Sequence, residues 1–230
     1  MIDYIGSELE LFQFAVNWKK YFTSNINKYI AGKVLEVGAG FGVNTKYLFT
    51  ERVTSWTFIE PDSKLASKIP NYTAEIHIEK KVVIGTIDNL YNEKFDTIIY
   101  IDVLEHIEES KNEICKIKEM LSKDGHLIIL VPSFQFLYNE FDAHLGHFRR
   151  YDKLTLRKEI NSNFREKELF YLDSIGLFAS IANKYFLKKA YINIKQVMFW
   201  DKFLVPVSKV IDKLILRKVG KSLIGVYTNH

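Results

Sequence analysis

The chain has 230 residues, is 47% hydrophobic and 14% aromatic, and carries a formal net charge of +4. This length suits one large domain or one domain with an appendage, and the aromatic content excludes a disordered chain. A single cysteine, Cys115, excludes a disulfide framework and indicates a reducing compartment. The sequence has neither a signal-peptide pattern nor a run of about 18 apolar residues, so we expect a cytoplasmic protein without a membrane span.

The positive charge is concentrated toward the carboxyl terminus. Residues 181–230 contain ten Lys and Arg against two Asp, a net +8, so residues 1–180 hold 22 basic and 26 acidic groups, a net −4. Such a basic segment suits an anionic surface or ligand, and it equally suits the solvated faces of ordinary helices.

Hydrophobic periodicity predicts alternating helices and strands. Apolar residues recur at helical spacing over residues 8–30, which predicts one amphipathic helix or two. Further helices are predicted at residues 43–50, 63–69 and 108–121, and after Tyr151. Seven strands are predicted, at residues 33–37, 54–59, 81–84, 95–101, 126–131, 167–172 and 222–228.

This alternation predicts an α/β fold, a doubly wound, Rossmann-like parallel sheet of seven strands. The roughly fifty residues between strands six and seven are too many for a plain connection, and their apolar spacing predicts helices. We therefore expect a single domain. Its parts are an N-terminal helical cap at residues 1–30, a core at residues 31–172 and 222–229, and a helical insertion at residues 173–221.

A glycine run follows the first predicted strand, in the sequence VLEVGAGFG. Gly38, Gly40 and Gly42 allow a sharp turn and a close approach of the backbone to a ligand before the next helix. Glu36 stands near the carboxyl end of the strand, where open parallel sheets bind ligands. The spacing lacks the third glycine of a dinucleotide fingerprint, because Val43 occupies that position.

Glu60 and Pro61 end the second strand, 22 residues after Gly38. A carboxylate at this place can accept hydrogen bonds from both hydroxyls of an adenosine ribose. Together with the glycine loop it predicts a nucleoside-containing cofactor, although NAD and S-adenosylmethionine (SAM) sites both use such a residue.

The fourth strand ends in a polar cluster within the sequence FDTIIYIDVLEHI, where Asp102, Glu105 and His106 interrupt the apolar residues. We expect Asp102 and Val103 to face the cofactor and Leu104 to lie against its flat base. For His106 two interpretations are open. It either orients the loop as a helix-start or core residue, or it contacts substrate or cofactor directly.

Taken together, these motifs resemble a class I SAM-dependent methyltransferase over residues 30–172. A narrower bacterial subgroup is also similar in its Gly-Thr turn, here Gly85-Thr86, and its Gly-His-x-Arg-Arg-Tyr run, here residues 146–151. The resemblance implies SAM as the cofactor, with S-adenosylhomocysteine (SAH) as its product. In the family, the positions that line the cofactor site match Glu36, Gly38, Gly40, Glu60 and Asp102. To these we add their neighbours as candidates: Ala39, Pro61, Thr86, Ile87, Val103 and Leu104.

The adenine position departs from the family pattern. Many relatives have an aspartate directly after the glycine of the third strand, where it contacts the adenine amino group. This chain has Thr86 there and Asp88 two positions later. We therefore expect adenine to be recognised through Thr86, Ile87 or backbone groups.

A third constellation follows the fifth strand, in the sequence YNEFDAHLGHFRRY. The spacing of Asp142, His144 and His147 allows a metal site, but no further ligand group is evident and we predict no metal. A second interpretation is a catalytic base. A third is a structured loop in which Arg149 and Arg150 hold carboxylates and close over the cofactor. The arginine pair also suits an acidic or phosphate-bearing acceptor.

The resemblance implies transfer of the electrophilic methyl group of SAM to an acceptor held in line with the sulfur–methyl bond. A hydroxyl acceptor needs its proton removed, and histidine suits that task near neutral pH. The candidate bases are His144 and His147, with His106 third. We expect a methyltransferase acting at oxygen. The alternatives are a SAM-fold binding protein without catalysis and, disfavoured by Val43, an NAD-dependent oxidoreductase.

Acceptor choice is expected to lie in the N-terminal helix and the insertion, where aromatic residues alternate with lysines. The insertion could form a hydrophobic acceptor pocket. Its apolar residues could instead serve only helix packing or a dimer interface. It could also attach residues 181–221 to the inner face of an anionic membrane that presents a lipid-linked acceptor. We expect a small-molecule or a lipid- or sugar-linked acceptor. The aromatic stacking signatures of RNA-binding modules are missing, so nucleic acid is not expected.

Overall fold

The computed structural model describes residues 7–160, 164–187 and 193–230, and these include a seven-stranded sheet. Residues 1–6 of the predicted cap and 188–192 of the predicted insertion lie outside the described residues. The strands are β1 (Gly32–Val37), β2 (Val53–Glu60), β3 (Glu79–Ile84), β4 (Phe95–Ile101), β5 (Leu121–Pro132), β6 (Arg165–Leu172) and β7 (Ser222–Thr228). Their order is β3-β2-β1-β4-β5-β7-β6. The prediction of a seven-stranded Rossmann-like sheet is confirmed.

The prediction that the whole sheet is parallel is wrong at β7, which runs antiparallel to β5 and β6. Its first residue, Ser222, pairs with Leu172 at the end of β6 and with Pro132 at the end of β5. The insertion thus leaves and re-enters the sheet at one edge, and a strand that starts at the edge where its predecessor ended must run the opposite way. The same edge holds the carboxyl ends of β1, β2 and β4, where such sheets bind ligands.

Helices connect the strands. They are α1 (Ser7–Phe12), α2 (Val16–Ile26), α3 (Thr45–Leu48), α4 (Ser63–Ala66), α5 (Ile69–Tyr72), α6 (Ser110–Met120), α7 (Glu140–His144), α8 (Lys153–Ile160), α9 (Ser174–Ala182), α10 (Ile194–Phe199) and α11 (Val205–Leu214). The helix predicted at residues 63–69 is split into α4 and α5, because Pro70 has no N–H to continue the first helix. None of the described helices is long and apolar enough to cross a bilayer.

Two hydrophobic layers cover the two faces of the sheet. Successive residues of a strand point to opposite faces, so Val34 belongs to the layer that contains Phe22 of α2. Its neighbour Leu35 belongs to the opposite layer, which contains Ile114 of α6. The central strands are thereby buried on both sides.

Buried acidic residues join α2 to the insertion. The Asp201 carboxylate accepts hydrogen bonds from the backbone N–H groups of Asn17 (3.0 Å) and Trp18 (2.8 Å). The Asp212 carboxylate accepts one from the hydroxyl of Tyr21 at 2.9 Å. Both carboxylates therefore face α2, and all three acidic residues of the insertion, Asp173 included, are buried away from its outer surface.

Candidate active site

The candidate site lies where the sheet order reverses between β1 and β4. In an open α/β sheet this switch point creates a crevice outside the carboxyl ends of the strands. The glycine loop follows β1, Glu60 ends β2 and Asp102 follows β4. The predicted cofactor residues from these three strands therefore meet at one edge.

The glycine loop is held tightly against the segment that follows β4. Gly38 has φ +61°, and a Cβ atom on it would lie 2.6 Å from a methyl group of Val103. The Gly38 N–H also donates a 2.8 Å hydrogen bond to the carbonyl of Ile59. Only glycine combines this left-handed conformation with this close approach.

Glu60 fixes the middle of the loop. One of its oxygens accepts a hydrogen bond from Gly40 N at 2.8 Å, and the other accepts one from Asp62 N at 3.0 Å. Burial raises the pKa of Glu60, and the two backbone hydrogen bonds oppose that rise. A carboxylate has about four lone-pair directions, so both oxygens retain the capacity to accept ribose hydroxyls.

Glu36 is placed deeper than the sequence suggests. It is 2% exposed, and one of its oxygens accepts hydrogen bonds from the Thr45 hydroxyl (2.8 Å) and the Trp56 indole N–H (3.0 Å). Burial raises the pKa of Glu36 to about 7, against the lowering effect of these two bonds. The carboxylate thus ties α3 to the sheet beneath the glycine loop.

The remaining cofactor candidates differ in how much of their side chain is exposed to a ligand. Thr86 and Pro61 are exposed at the edge. Ala39 is 8% exposed, Ile87 1% and Leu104 0%, so the side chains of Ile87 and Leu104 present almost no surface to a ligand as they are placed. A contact with the adenine through Ile87 would have to use its backbone.

Asp102 directly follows β4 and has the left-handed conformation, with φ +54°. Its side chain keeps an exposed face, yet crowding by protein atoms raises its pKa to about 6. The positive charges of His147, Lys221 and Arg150 lower that pKa in turn. Asp102 is therefore the point where the cofactor residues adjoin a group of cationic side chains.

His147 and Arg150 belong to the segment that follows β5, and the fold joins this segment directly to the motif that follows β4. The backbone N–H of Phe148 donates a 2.8 Å hydrogen bond to the carbonyl of Glu105. The rings of His106 and His147 meet edge to face, with centroids 4.5 Å apart. We call Glu105, His106 and His147 the histidine centre.

Asp142 and Arg150 hold His147 in place within the histidine centre. Arg150 binds Asp142 through two hydrogen bonds, Nε to Oδ1 at 2.8 Å and Nη2 to Oδ2 at 2.9 Å. Nδ1 of His147 lies 3.0 Å from the same Oδ1. Burial raises the pKa of Asp142, but the bonds from His147 and Arg150 outweigh it and leave the pKa below its ordinary value.

The other candidates of this segment lie outside the centre. Arg149 donates hydrogen bonds to the hydroxyl of Ser110 (3.0 Å) and the carbonyl of Glu108 (2.7 Å). His144 is exposed at the end of α7. The structure thus brings together two of the three predicted catalytic histidines, His106 and His147.

Two residues near the site were not selected from the sequence. The sequence indicates Glu105 only as part of a polar cluster, and it gives no signal for Lys221. The ammonium group of Lys221 lies 4.7 Å above the ring of Trp200, directly before β7. The position of Lys221 follows from the direction of β7. Because β7 runs antiparallel to its neighbours, its first residues lie at the ligand-binding edge.

Comparisons with known proteins agree with this geometry. A model of the methyltransferase-domain family matches residues 17–169. No curated protein matches the chain significantly. Among solved structures, the SAM-dependent methyltransferase from Clostridium acetobutylicum ATCC 824 has a TM-score of 0.58 at 12% identity, over 94% of this chain and 92% of its own.

Two further structures share the fold. The N-methyltransferase NodS from Bradyrhizobium japonicum WM9, in complex with SAH, has a TM-score of 0.55 at 14% identity, over 98% of this chain and 89% of its own. The [4+2]-cyclase SpnF has a TM-score of 0.61 at 14% identity, over 91% of this chain and 80% of its own. The family match covers more than half of the chain and the predicted cofactor residues meet at one edge, so the chain belongs to the SAM-dependent methyltransferases of class I fold.

Proposed function

We propose that the protein transfers a methyl group from SAM to an oxygen atom of a lipid- or sugar-linked acceptor. SAM supplies an electrophilic methyl group, so the chain has to orient the acceptor, exclude water and remove its proton. The observation that supports transfer to oxygen is the histidine centre, which adjoins Asp102 at the end of the crevice.

The histidine centre suits proton removal from a hydroxyl group. Burial, and then the neighbouring His147, lower the pKa of His106 to about 4, so His106 is neutral at pH 7 but a weak base, and proton removal falls to His147. His147 is oriented by its bond to Asp142. We propose that the acceptor hydroxyl binds at His106 and His147 and loses its proton there.

The outer face of the insertion supports a lipid-linked acceptor. From α10 to α11 an apolar stripe is exposed: Phe199 (57%), Phe203 (52%), Val207 (48%), Val210 (59%) and Leu214 (74%). The lysines beside this stripe, Lys202, Lys209 and Lys213, are exposed as well. A face with apolar and cationic residues and without acidic groups is typical of helices that lie on anionic membranes.

The insertion also lies beside the proposed acceptor site. It begins after Leu172 and ends before Ser222, at the ligand-binding edge of the sheet. The ammonium group of Lys184 in its first part donates hydrogen bonds to the carbonyls of Phe136 and Tyr138, at the start of the loop that carries His147. A membrane bound to the outer face would thus hold a lipid-linked acceptor near the histidine centre.

Methyl transfer is tested by incubating the protein with SAM labelled in the methyl group and a total lipid extract of the source organism. We expect label in an extractable product, in an ether or ester linkage that chemical cleavage identifies. SAH binding without label in lipid or in whole-cell extract would contradict the proposal and indicate a SAM-fold protein with another activity, as the fold of SpnF illustrates.

Membrane contact is tested separately with vesicles of phosphatidylglycerol and phosphatidylcholine. We expect the triple variant Lys202→Glu, Lys209→Glu, Lys213→Glu to lose at least about 100-fold in vesicle binding, because each cation near an anionic surface contributes about 1 kcal/mol. The control variant Lys33→Glu, Lys111→Glu, Lys123→Glu changes the net charge equally at exposed positions elsewhere. Equal losses in both variants would show that only net charge matters and would contradict the proposed surface.

A further inference from the structure

Glu105 is the buried acidic residue of the histidine centre. Its residue is 0% exposed, and neither of its side-chain oxygens receives a hydrogen bond from another described residue. A buried carboxylate that is left unpaired costs several kcal/mol, so without a bound cation the group takes up a proton, and burial raises the pKa of Glu105 well above its ordinary value. In native proteins such a group calls for a specific explanation, and an ion is one of the few available.

The donor atoms around Glu105 are arranged as ligands of one ion would be. One side-chain donor atom from each of Glu105, His106 and His147 lies within 4.8 Å of the other two. The distance from Glu105 Oε1 to His147 Nε2 is 4.0 Å, which is too long for a hydrogen bond. Two ligands bound at about 2.1 Å to one tetrahedral or octahedral ion are roughly 3.0 to 3.4 Å apart, so shifts of about 1 Å would complete the site.

The surrounding hydrogen bonds orient the imidazole of His147 in the way that metal-bound histidines require, and they also hold the ring of His106. Nδ1 of His147 is bonded to Asp142, which Arg150 holds in turn, so Nε2 is the nitrogen left for a ligand. The ring of His106 is hydrogen-bonded to the backbone at Leu145 and Gly146. A second-shell bond on one ring nitrogen fixes the tautomer and directs the other nitrogen to the metal.

We propose that Glu105, His106 and His147 bind a divalent transition-metal ion. Two imidazole nitrogens and one carboxylate are the donor set that Zn²⁺ and its neighbours prefer, whereas Mg²⁺ and Ca²⁺ prefer oxygen ligands throughout. Three protein ligands leave at least one coordination position open, as catalytic sites do. If the proposed function holds, the metal would favour deprotonation in place of a free imidazole: an acceptor hydroxyl bound in that position would lose its proton more easily, and water would take the proton.

The binding experiment needs neither SAM nor an acceptor. The full chain is stripped with EDTA, dialysed and titrated with Zn²⁺ by calorimetry and with Co²⁺ by visible absorption. We expect one ion per chain, a micromolar or lower Kd, and visible Co²⁺ bands typical of nitrogen ligands. Glu105→Gln and His147→Gln should each weaken Zn²⁺ binding by at least about 100-fold, and His106→Gln should do so if either variant fails to fold.

Matched controls distinguish this site from surface histidines. His144→Gln, three residues before His147, and His77→Gln, at an exposed position, should bind Zn²⁺ within twofold of the original chain. Absence of Co²⁺ bands in the original chain, or unchanged Zn²⁺ affinity in Glu105→Gln, would overturn the metal site. Intact Zn²⁺ binding without methyl transfer would instead contradict only the proposed function.

Discussion

The glycine loop and the histidine centre adjoin each other at one sheet edge, yet they differ in the hydrogen bonds that their buried carboxyl groups accept. Glu36 and Glu60 each accept two hydrogen bonds from the protein. Glu105 is equally buried and accepts none from another described residue. The first region is a hydrogen-bonded network that holds a fixed shape, whereas the second contains a buried carboxyl group that no other described residue hydrogen-bonds. We infer that the first binds the cofactor and the second acts on the acceptor.

The largest effect should come from His147→Gln. This change removes a side chain that we place at the acceptor, and a positioned proton acceptor or metal ligand contributes about 100- to 10,000-fold to a rate. We expect the initial rate of label transfer from saturating SAM to lipid extract to fall by that amount. His77→Gln serves as the control, and a loss of less than tenfold in His147→Gln would contradict the assigned role.

Next in size is Glu60→Ala. The change removes the acceptor of the Gly40 and Asp62 N–H groups and, as we propose, of the ribose hydroxyls. Hydrogen bonds to a charged group contribute about 1.5 to 3 kcal/mol each, so the loss of two should lower the affinity for SAH at least about 100-fold. Calorimetric titration with SAH measures this loss. An unchanged Kd would show that Glu60 has only a structural role in the loop.

How stability depends on pH provides a third test in the glycine-loop region. The pKa of Glu36 is raised by burial from 4.5 to about 7, so between these values the folded chain keeps a proton that the unfolded chain releases. Its contribution to the free energy of unfolding is complete below about pH 4.5 and is lost as the pH rises to about 7, a change of up to about 3 kcal/mol.

Glu36→Gln should remove this pH dependence, because the amide keeps an oxygen for Thr45 and Trp56 and does not titrate. Urea unfolding near pH 5 and near pH 7.5 measures the slope for both proteins. Identical slopes in the original chain and the variant would contradict the placement of Glu36 in a sealed environment.

The smallest effect should come from Glu105→Gln in metal-free protein. No hydrogen bond from another described residue is lost, so the free energy of unfolding should change by less than about 0.5 kcal/mol or rise. Urea unfolding after EDTA treatment measures it. A loss above about 2 kcal/mol would mean that Glu105 has a protein partner and that the two regions do not differ as described.

The glycine-loop region was largely readable from the sequence, because each of its signals is local. A strand, a turn of glycines and an acidic strand end lie within a few residues, and sheet topology places them together. The sequence could not show which of the candidate side chains are buried. Glu36, Ile87 and Leu104 fit the cofactor pattern, but their exposure depends on layers contributed by other segments.

The sequence alone indicates the residues of the histidine centre but not that they lie together. The motif with Glu105 and His106 and the motif with His147 were recognised separately, and their contact depends on a backbone bond between distant segments. The sequence predicts no metal at His144 and His147, and the further ligands that we propose beside His147, namely Glu105 and His106, follow another strand. In the fold Asp142 is already engaged by Arg150 and by Nδ1 of His147.

The division of tasks between the two regions is tested most directly by the SAH affinity of His147→Gln, measured by calorimetry beside Glu60→Ala. The account predicts a Kd for His147→Gln within about threefold of the original chain, while Glu60→Ala weakens at least about 100-fold. A loss of SAH affinity in His147→Gln as large as that in Glu60→Ala would show that the histidine centre is part of the cofactor site and would contradict the account.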